Sequence, residues 1–177
     1  MNIVLAAVMS IDGRIKRDER IHERDWISHE DKAYFNHLMN KHEVIVMGRK
    51  TYQSMKLHVL PKKRYIVMTR RPEKYHHKTI AGALEFTDDT PITILDRLTG
   101  LDTLLVIGGS EIYGAFLKAD LVDELHITIE PIIFGSGVSL VAGEGIGTKF
   151  QLIEICRLNQ AGTVLMKMKP RGKVMEK

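Results

Sequence analysis

Four short apolar runs punctuate the first two thirds of the chain, at residues 2–8, 43–47, 64–69 and 103–107. They are continuous rather than alternating, and rich in β-branched residues. That pattern predicts strands buried on both faces of a parallel sheet. Helical patterns lie between them. Ser28 with Asp31 three residues on forms a capping-box-like start for a helix through about Asn40. Residues 51–55 suit a short helix, and Thr90-Pro91 supplies an N-cap followed by proline at the first helical position. Ile112, Tyr113, Phe116 and Leu117 recur at helical spacing within residues 111–117. Strands alternating in order with helices predict an α/β fold.

The last third changes character. Residues 124–130 (ELHITIE) read as a strand with Leu125, Ile127 and Ile129 on one face. Residues 150–158 and 163–169 read as strands joined through Asn159 to Gly162, a hairpin. The polar stretch 10–25 has no clear period and is expected to be a loop at the end of the first strand. The expectation is therefore one α/β domain over residues 1–169. Its mixed, mostly parallel sheet is flanked by helices and ends in a C-terminal antiparallel hairpin. The basic stretch 170–177 is expected to be a disordered tail.

Composition narrows the class. With 177 residues, 44% hydrophobic, the chain has material for one sizeable core, and no apolar run approaches the length of a membrane span. The single cysteine, Cys156, excludes an internal disulfide framework and fits a reducing, cytoplasmic setting. A net charge of +4 raises the question of which anion the protein holds. Aromatic residues make up 6% and do not interleave with the basic ones, so a nucleic-acid platform is not expected.

Three segments carry candidate chemistry. Asp31 shares a helix face with Phe35 and Leu38, and a carboxylate on an apolar face needs a partner or a task. Gly48-Arg49-Lys50-Thr51 follows a strand and opens a helix, where backbone N–H groups and cations suit a phosphate. Gly108-Gly109-Ser110 repeats the strand–glycine–helix pattern, and both turns would lie at the carboxyl ends of strands, where open α/β sheets bind ligands. Arg70-Arg71 follows a third strand at the same edge and suits a phosphate monoester. His22, Glu23, Asp25 and His29 crowd one region without a zinc-binding spacing, so no metal is expected. His76, His77 and His126 read as loop and strand-face residues.

Together these residues resemble dihydrofolate reductase. Ala6-Ala7, Trp26 before Asp31, Phe35, Gly48 to Thr51, Ile107-Gly108-Gly109 with Tyr113, and Thr128 in a Leu-x-Ile-Thr strand occur in the family's order from residue 2 to about 169. The resemblance implies an NADPH-dependent reduction of dihydrofolate, with hydride delivered to C6 and Asp31 promoting protonation at N5. It places Trp26 and Thr128 with Asp31 in the catalytic set, Thr128 bridging to the carboxylate. Ala6, Ala7, Phe35, Ile107 and Tyr113 would meet the substrate, with Lys63, and Arg64 beside it, at the folate carboxylate. Ala7, Ile15, Gly48, Arg49, Lys50 and Thr51 would meet NADPH, as would Thr69, Arg70 and Arg71, and Gly108, Gly109, Ser110, Glu111 and Ile112. Gly108–Gly109 matches the family's cis peptide.

The resemblance implies a small-molecule substrate, no membrane partner, and either a monomer or a homodimer. Lys63 stands where the family carries an arginine, a poorer bidentate partner for a carboxylate. Ser10-Ile-Asp-Gly-Arg14, Asp123-Glu-Leu125 and the run 131–137 resemble instead the riboflavin-pathway pyrimidine reductases, which share the fold and reduce a ribosylaminopyrimidine phosphate with NADPH. Trp26, Asp31 and Phe35 in register favour dihydrofolate.

Overall fold

The buried runs come together as neighbouring strands of one sheet. In the computed structural model, which describes residues 1–17, 25–55 and 57–172, the first strand β1 (Asn2–Ser10) lies between two parallel partners, β6 (Thr103–Val106) and β7 (Glu124–Glu130). β3 (Val44–Gly48) pairs in parallel with β6 and with β4 (Arg64–Met68), and β4 with β5 (Leu84–Thr87). β10 (Val164–Pro170) runs antiparallel to both β7 and β9 (Phe150–Arg157). The order is β5-β4-β3-β6-β1-β7-β10-β9, with a separate two-stranded ladder of β2 (Arg14–Lys16) and β8 (Val138–Ser139).

Helices cover both faces. α1 (His29–Lys41) and α2 (Arg49–Ser54) lie on one side, where Leu38 and Met39 pack with Val4, Ala6, Ile45 and Met47. α3 (Pro91–Asp96) and α4 (Ser110–Lys118) lie on the other, where Ile94, Phe116 and Leu117 pack with Ile3, Leu5, Val46 and Val106. Every residue of β3 is buried, as its continuous apolar run requires. Each aliphatic side chain removed from water in this way contributes about 1.5–3 kcal/mol before the entropy of ordering it is subtracted.

Several boundaries differ from the sequence expectation, each for a local reason. α2 begins at Arg49, two residues early, so Gly48 becomes its N-cap. β5 follows a 3₁₀ segment, Pro72–Lys78, and its run of Leu-Glu-Phe-Thr is too short and too polar to announce a parallel strand. β2 lies inside the stretch expected to be a loop, and two or three residues carry no readable period. His22 and Glu23 lie outside the described residues, as does the tail beyond residue 172. Among the described residues no helix is long and apolar enough to cross a membrane.

α4 carries a glycine where helix propensity alone favours alanine by roughly 1 kcal/mol. A Cβ on Gly114 would fall 1.8 Å from the carbonyl oxygen of Ala142, on the loop that follows β8. Backbone cannot yield as a flexible side chain does, and overpacking of this kind costs about 1–3 kcal/mol. Gly114→Ala is therefore expected to lower the melting temperature, the reverse of its effect in an exposed helix. Thermal denaturation followed by circular dichroism checks the sign.

Candidate active site

The carboxyl ends of β1, β3, β4, β6 and β7 open into one cleft of about 1890 Å³, lined from Ala6 and Gly48 to Thr128 and Ala142. A drug-sized ligand needs only ~300–1,000 Å³, so the cleft has room for two ligands side by side. Its two halves are built differently, one from backbone and cations, the other around a carboxylate.

The first half gathers the glycine turns. Gly48 N–H donates to the carbonyl of Gly108 at 2.6 Å, which ties the start of α2 to the end of β6. A side chain at Gly48 would meet Ile112 Cγ1 at 2.9 Å, and one at Gly108 (φ +93°) would enter the Tyr113 ring at 2.7 Å. The Gly108–Gly109 peptide is cis. Gly48 and Gly109 stand at the N-caps of α2 and α4, where neither helix start has a side-chain cap. Arg49, Lys50 and Thr51 line this half with Thr69, Arg70 and Arg71. Ile15, Ser110, Glu111 and Ile112 complete its wall. Arg70 Nη2 lies 3.3 Å from Glu111 Oε2, both side chains largely exposed, so this pair holds the arginine only loosely. Glycine-capped helix starts, close-set glycines and a cationic rim fit a phosphate-bearing dinucleotide.

The second half centres on Asp31 in the first turn of α1. Ser28 caps the helix, its hydroxyl accepting the Asp31 N–H at 3.2 Å. Asp31 is 7% exposed and shares this wall with Ala6, Ala7, Trp26, Phe35, Ile107 and Tyr113. Burial pushes its carboxyl above the usual carboxylate range. A hydrogen bond from Thr128 and the charge of Lys32 pull it down, and the charge of Glu130 pushes it up further. The Tyr113 hydroxyl donates to the Ala6 carbonyl at 2.6 Å, holding the α4 side of the cleft to β1.

Two expected residues are elsewhere. Lys63 and Arg64 stand at the start of β4, and neither lines the cleft. Lys63 Nζ donates to the carbonyls of Asn40 at 2.7 Å and His42 at 2.6 Å, closing the C-terminal end of α1. Arg64 pairs with Glu85 at 3.1 Å. Their cations are engaged within the fold, which corrects the expectation that they wait for a substrate carboxylate. Gly108 lies behind the cleft wall and contributes its carbonyl to Gly48.

Other residues enter that the sequence did not single out for the site. Lys32 lines the wall beside Asp31, and Tyr34 and His126 face it from α1 and β7. Tyr34 Oη lies 2.9 Å from His126 Nδ1, and His126 Nε2 lies 3.0 Å from Glu124 Oε2. Burial lowers the pKa of His126, so it favours the neutral ring. With Nε2–H donated to Glu124, Nδ1 accepts a hydrogen bond from the Tyr34 hydroxyl. The loop motifs are joined as well. Asp12 accepts from Ser10 Oγ at 2.7 Å and from the N–H groups of Phe134 at 3.0 Å and Gly135 at 2.8 Å, and these bonds hold its carboxyl at about 2.

A three-layer α/β fold with one large cleft at the carboxyl edge of its sheet defines the class. A family model described as dihydrofolate reductase matches residues 2–133. The chain belongs to the dihydrofolate reductase family, and is thereby a reductase of this superfamily. An uncharacterised Bacillus subtilis protein, YwjB, is 29% identical over 167 residues, 89% of this chain and 92% of that one. A putative riboflavin biosynthesis protein from Shewanella superposes with a TM-score of 0.76 at 25% identity, covering 97% of this chain and 99% of that one. The dihydrofolate reductase of Enterococcus faecalis, solved with NADP(H), shares the fold with a TM-score of 0.68 at 17% identity over 96% of each chain.

The raised pKa of Asp31 has a consequence for stability. A carboxyl whose folded pKa exceeds its unfolded value of roughly 3.9 stabilises the fold fully below that value, and the contribution is lost as pH rises through the folded pKa. At neutral pH the ionised Asp31 is therefore a cost. Asp31→Asn is expected to raise the melting temperature at pH 7 and to lose that advantage in acid. Melting curves across pH read it directly, and a variant less stable at pH 7 would contradict the burial argument.

Proposed function

We propose that the protein reduces a dihydropterin with NADPH, and that dihydrofolate is its substrate. One observation carries the reading: a desolvated carboxylate, Asp31, on an otherwise apolar wall, hydrogen-bonded by Thr128 and facing the same cleft as the glycine turns. A carboxylate in a largely desolvated site binds the amino group and adjacent ring nitrogen of a pterin strongly, since both are donors, and Lys32 weakens the pull only in part. Phe35 offers a ring to stack on the heterocycle, and Ala7 and Ile107 keep the junction between the two halves small and apolar. The cationic rim and the two glycine-capped helix starts suit the phosphates of NADPH, which would supply the hydride for C6 when bound. Asp31 then holds the proton balance at N5, a task its raised pKa serves by keeping the protonated form accessible at higher pH.

A second reading, reduction of a ribosylaminopyrimidine phosphate, is favoured by one particular. Lys63 and Arg64 are bonded elsewhere, so the glutamate of folate would not find them. Lys32, on the wall beside Asp31, could meet either a carboxylate or a phosphate.

NADPH oxidation measured with dihydrofolate and, separately, with the pyrimidine intermediate decides between them. Turnover of dihydrofolate is expected, and its absence at saturating cofactor sinks the preferred reading. Asp31→Asn should lower kcat by roughly 10²–10⁴-fold while leaving NADPH affinity intact. The fall of wild-type rate with rising pH should disappear in the variant. Arg49→Ala or Arg70→Ala should weaken NADPH about tenfold, the loss of one charged hydrogen bond, and NADH much less. Equal losses for both cofactors would move the 2′-phosphate contact elsewhere.

A further inference from the structure

The start of α1 divides its capping work in an unusual way. In a capping box the N-cap hydroxyl takes the N–H three residues on, and the acidic residue there reaches back to the N-cap N–H. Ser28 and Asp31 occupy these two positions, and the first bond is made. The second is made by another element. Ser28 N–H donates to Glu130 Oε1 at 2.7 Å, from the end of β7. Glu130 is 3% exposed, and its other oxygen accepts the Thr163 hydroxyl at 2.7 Å. The β9–β10 turn reinforces the arrangement, with Asn159 Nδ2 donating to Thr163 Oγ1 at 2.9 Å and to Glu30 Oε2 at 3.0 Å.

We infer that Glu130 is a positioning residue for this site: by capping Ser28 from the sheet it releases the Asp31 carboxylate from the helix start and leaves it facing Thr128 in the cleft. A first-turn carboxylate would otherwise settle on the free N–H one turn away, where it is hydrogen-bonded and useless to a ligand. Burying a second carboxylate to prevent this is costly, and the cost is met by the two donors that Glu130 accepts.

Glu130 also sets a field. Around Asp31 stand Glu30, Lys32 and Tyr34 on its own helix, Tyr113 on α4, and His126 and Glu130 on β7. Of these Glu130 adds to the effect of burial and Lys32 opposes it. Glu130 thus governs both where Asp31 points and how readily it takes a proton. The inference rests on the proposed role of Asp31, but its test has an arm that does not.

The experiment titrates Asp31 by carboxyl-carbon NMR in wild type, Glu130→Gln and Glu130→Ala, with NADPH oxidation measured across pH in parallel. Glutamine keeps the shape and an acceptor for Ser28, and its amide can donate to Thr163, so this variant isolates the charge. Its Asp31 titration, and the fall of rate at high pH, should both move to lower pH while turnover persists. In Glu130→Ala, Asp31 should turn back to Ser28, and kcat should fall by roughly tenfold or more, the order expected for a misplaced catalytic group. KM for NADPH should stay unchanged. A core variant of matched melting temperature, such as Ile94→Val, should show no such loss, and the Gln variant should restore most of kcat.

An unmoved Asp31 titration in Glu130→Gln overturns the inference, as does an Ala variant no slower than the core control. Should Glu130→Ala not fold, the Gln titration alone decides. Should neither substrate be turned over, the functional reading fails while the NMR titration still judges Glu130.

Discussion

The cleft depends on one carboxylate taken out of water. Asp31 sits where a helix start favours negative charge, and the positive end of α1 lowers the cost of ionising it. Burial wins nonetheless, and the group ends above its ordinary range. The surroundings explain the balance. Thr128 donates one bond and Lys32 lies at the solvent side, but Glu130 brings a like charge from below, and the walls are otherwise alkyl and aromatic. Among the described residues no cation forms a salt bridge with the carboxylate, and burial favours its protonated form. A group in that condition is suited to binding donors and moving a proton, and it is a poor contributor to stability.

The other half of the cleft solves a different problem with different material. A dinucleotide's phosphates carry charge that must not be buried against apolar walls. In the proposed complex that charge would meet two helix starts and a set of cations at the rim of the cleft. Side chains at Gly48 and Gly108 would collide with Ile112 and Tyr113, so the close approach of α4 to the ends of β3 and β6 forbids them. The same contacts bring Tyr113 near enough to bond Ala6 and shape the substrate wall. Part of the chain's positive charge is thus accounted for at one edge of the sheet. Lys63 and Arg64, at the opposite end of β4, serve the fold instead.

Much of this was legible in the sequence because it is periodic or local. Continuous apolar runs marked the central strands, Ser28 and Asp31 marked the start of α1, and strand–glycine–helix turns marked the edge where the cleft opens. The short pieces β2, β5 and β8 were not legible, since a ladder of two to four residues depends on partners far along the chain. The misplacement of Lys63 has a plainer cause. Sequence register put a cation at the family's position, but only tertiary contacts reveal that the carbonyls of Asn40 and His42 reach it first.

Glu130 shows where a stronger signal was available. In the strand ELHITIE the apolar residues Leu125, Ile127 and Ile129 alternate with Glu124, His126, Thr128 and Glu130. Alternation of this kind normally means one face in the core and one in water. Here His126, Thr128 and Glu130 are all buried, so the polar face is covered as thoroughly as the apolar one. A covered polar face must be satisfied group by group, and it is: His126 by Tyr34 and Glu124, Thr128 by Asp31, Glu130 by Ser28 and Thr163. Such a face is expensive to bury and has no advantage over an apolar one for folding alone. Its presence beneath α1, with Asp31 directly above it, makes β7 the strand that orders the substrate half of the cleft. A polar alternation on a strand paired on both sides within the sheet and covered on both faces is thus a stronger pointer to a site than any single acidic residue within it.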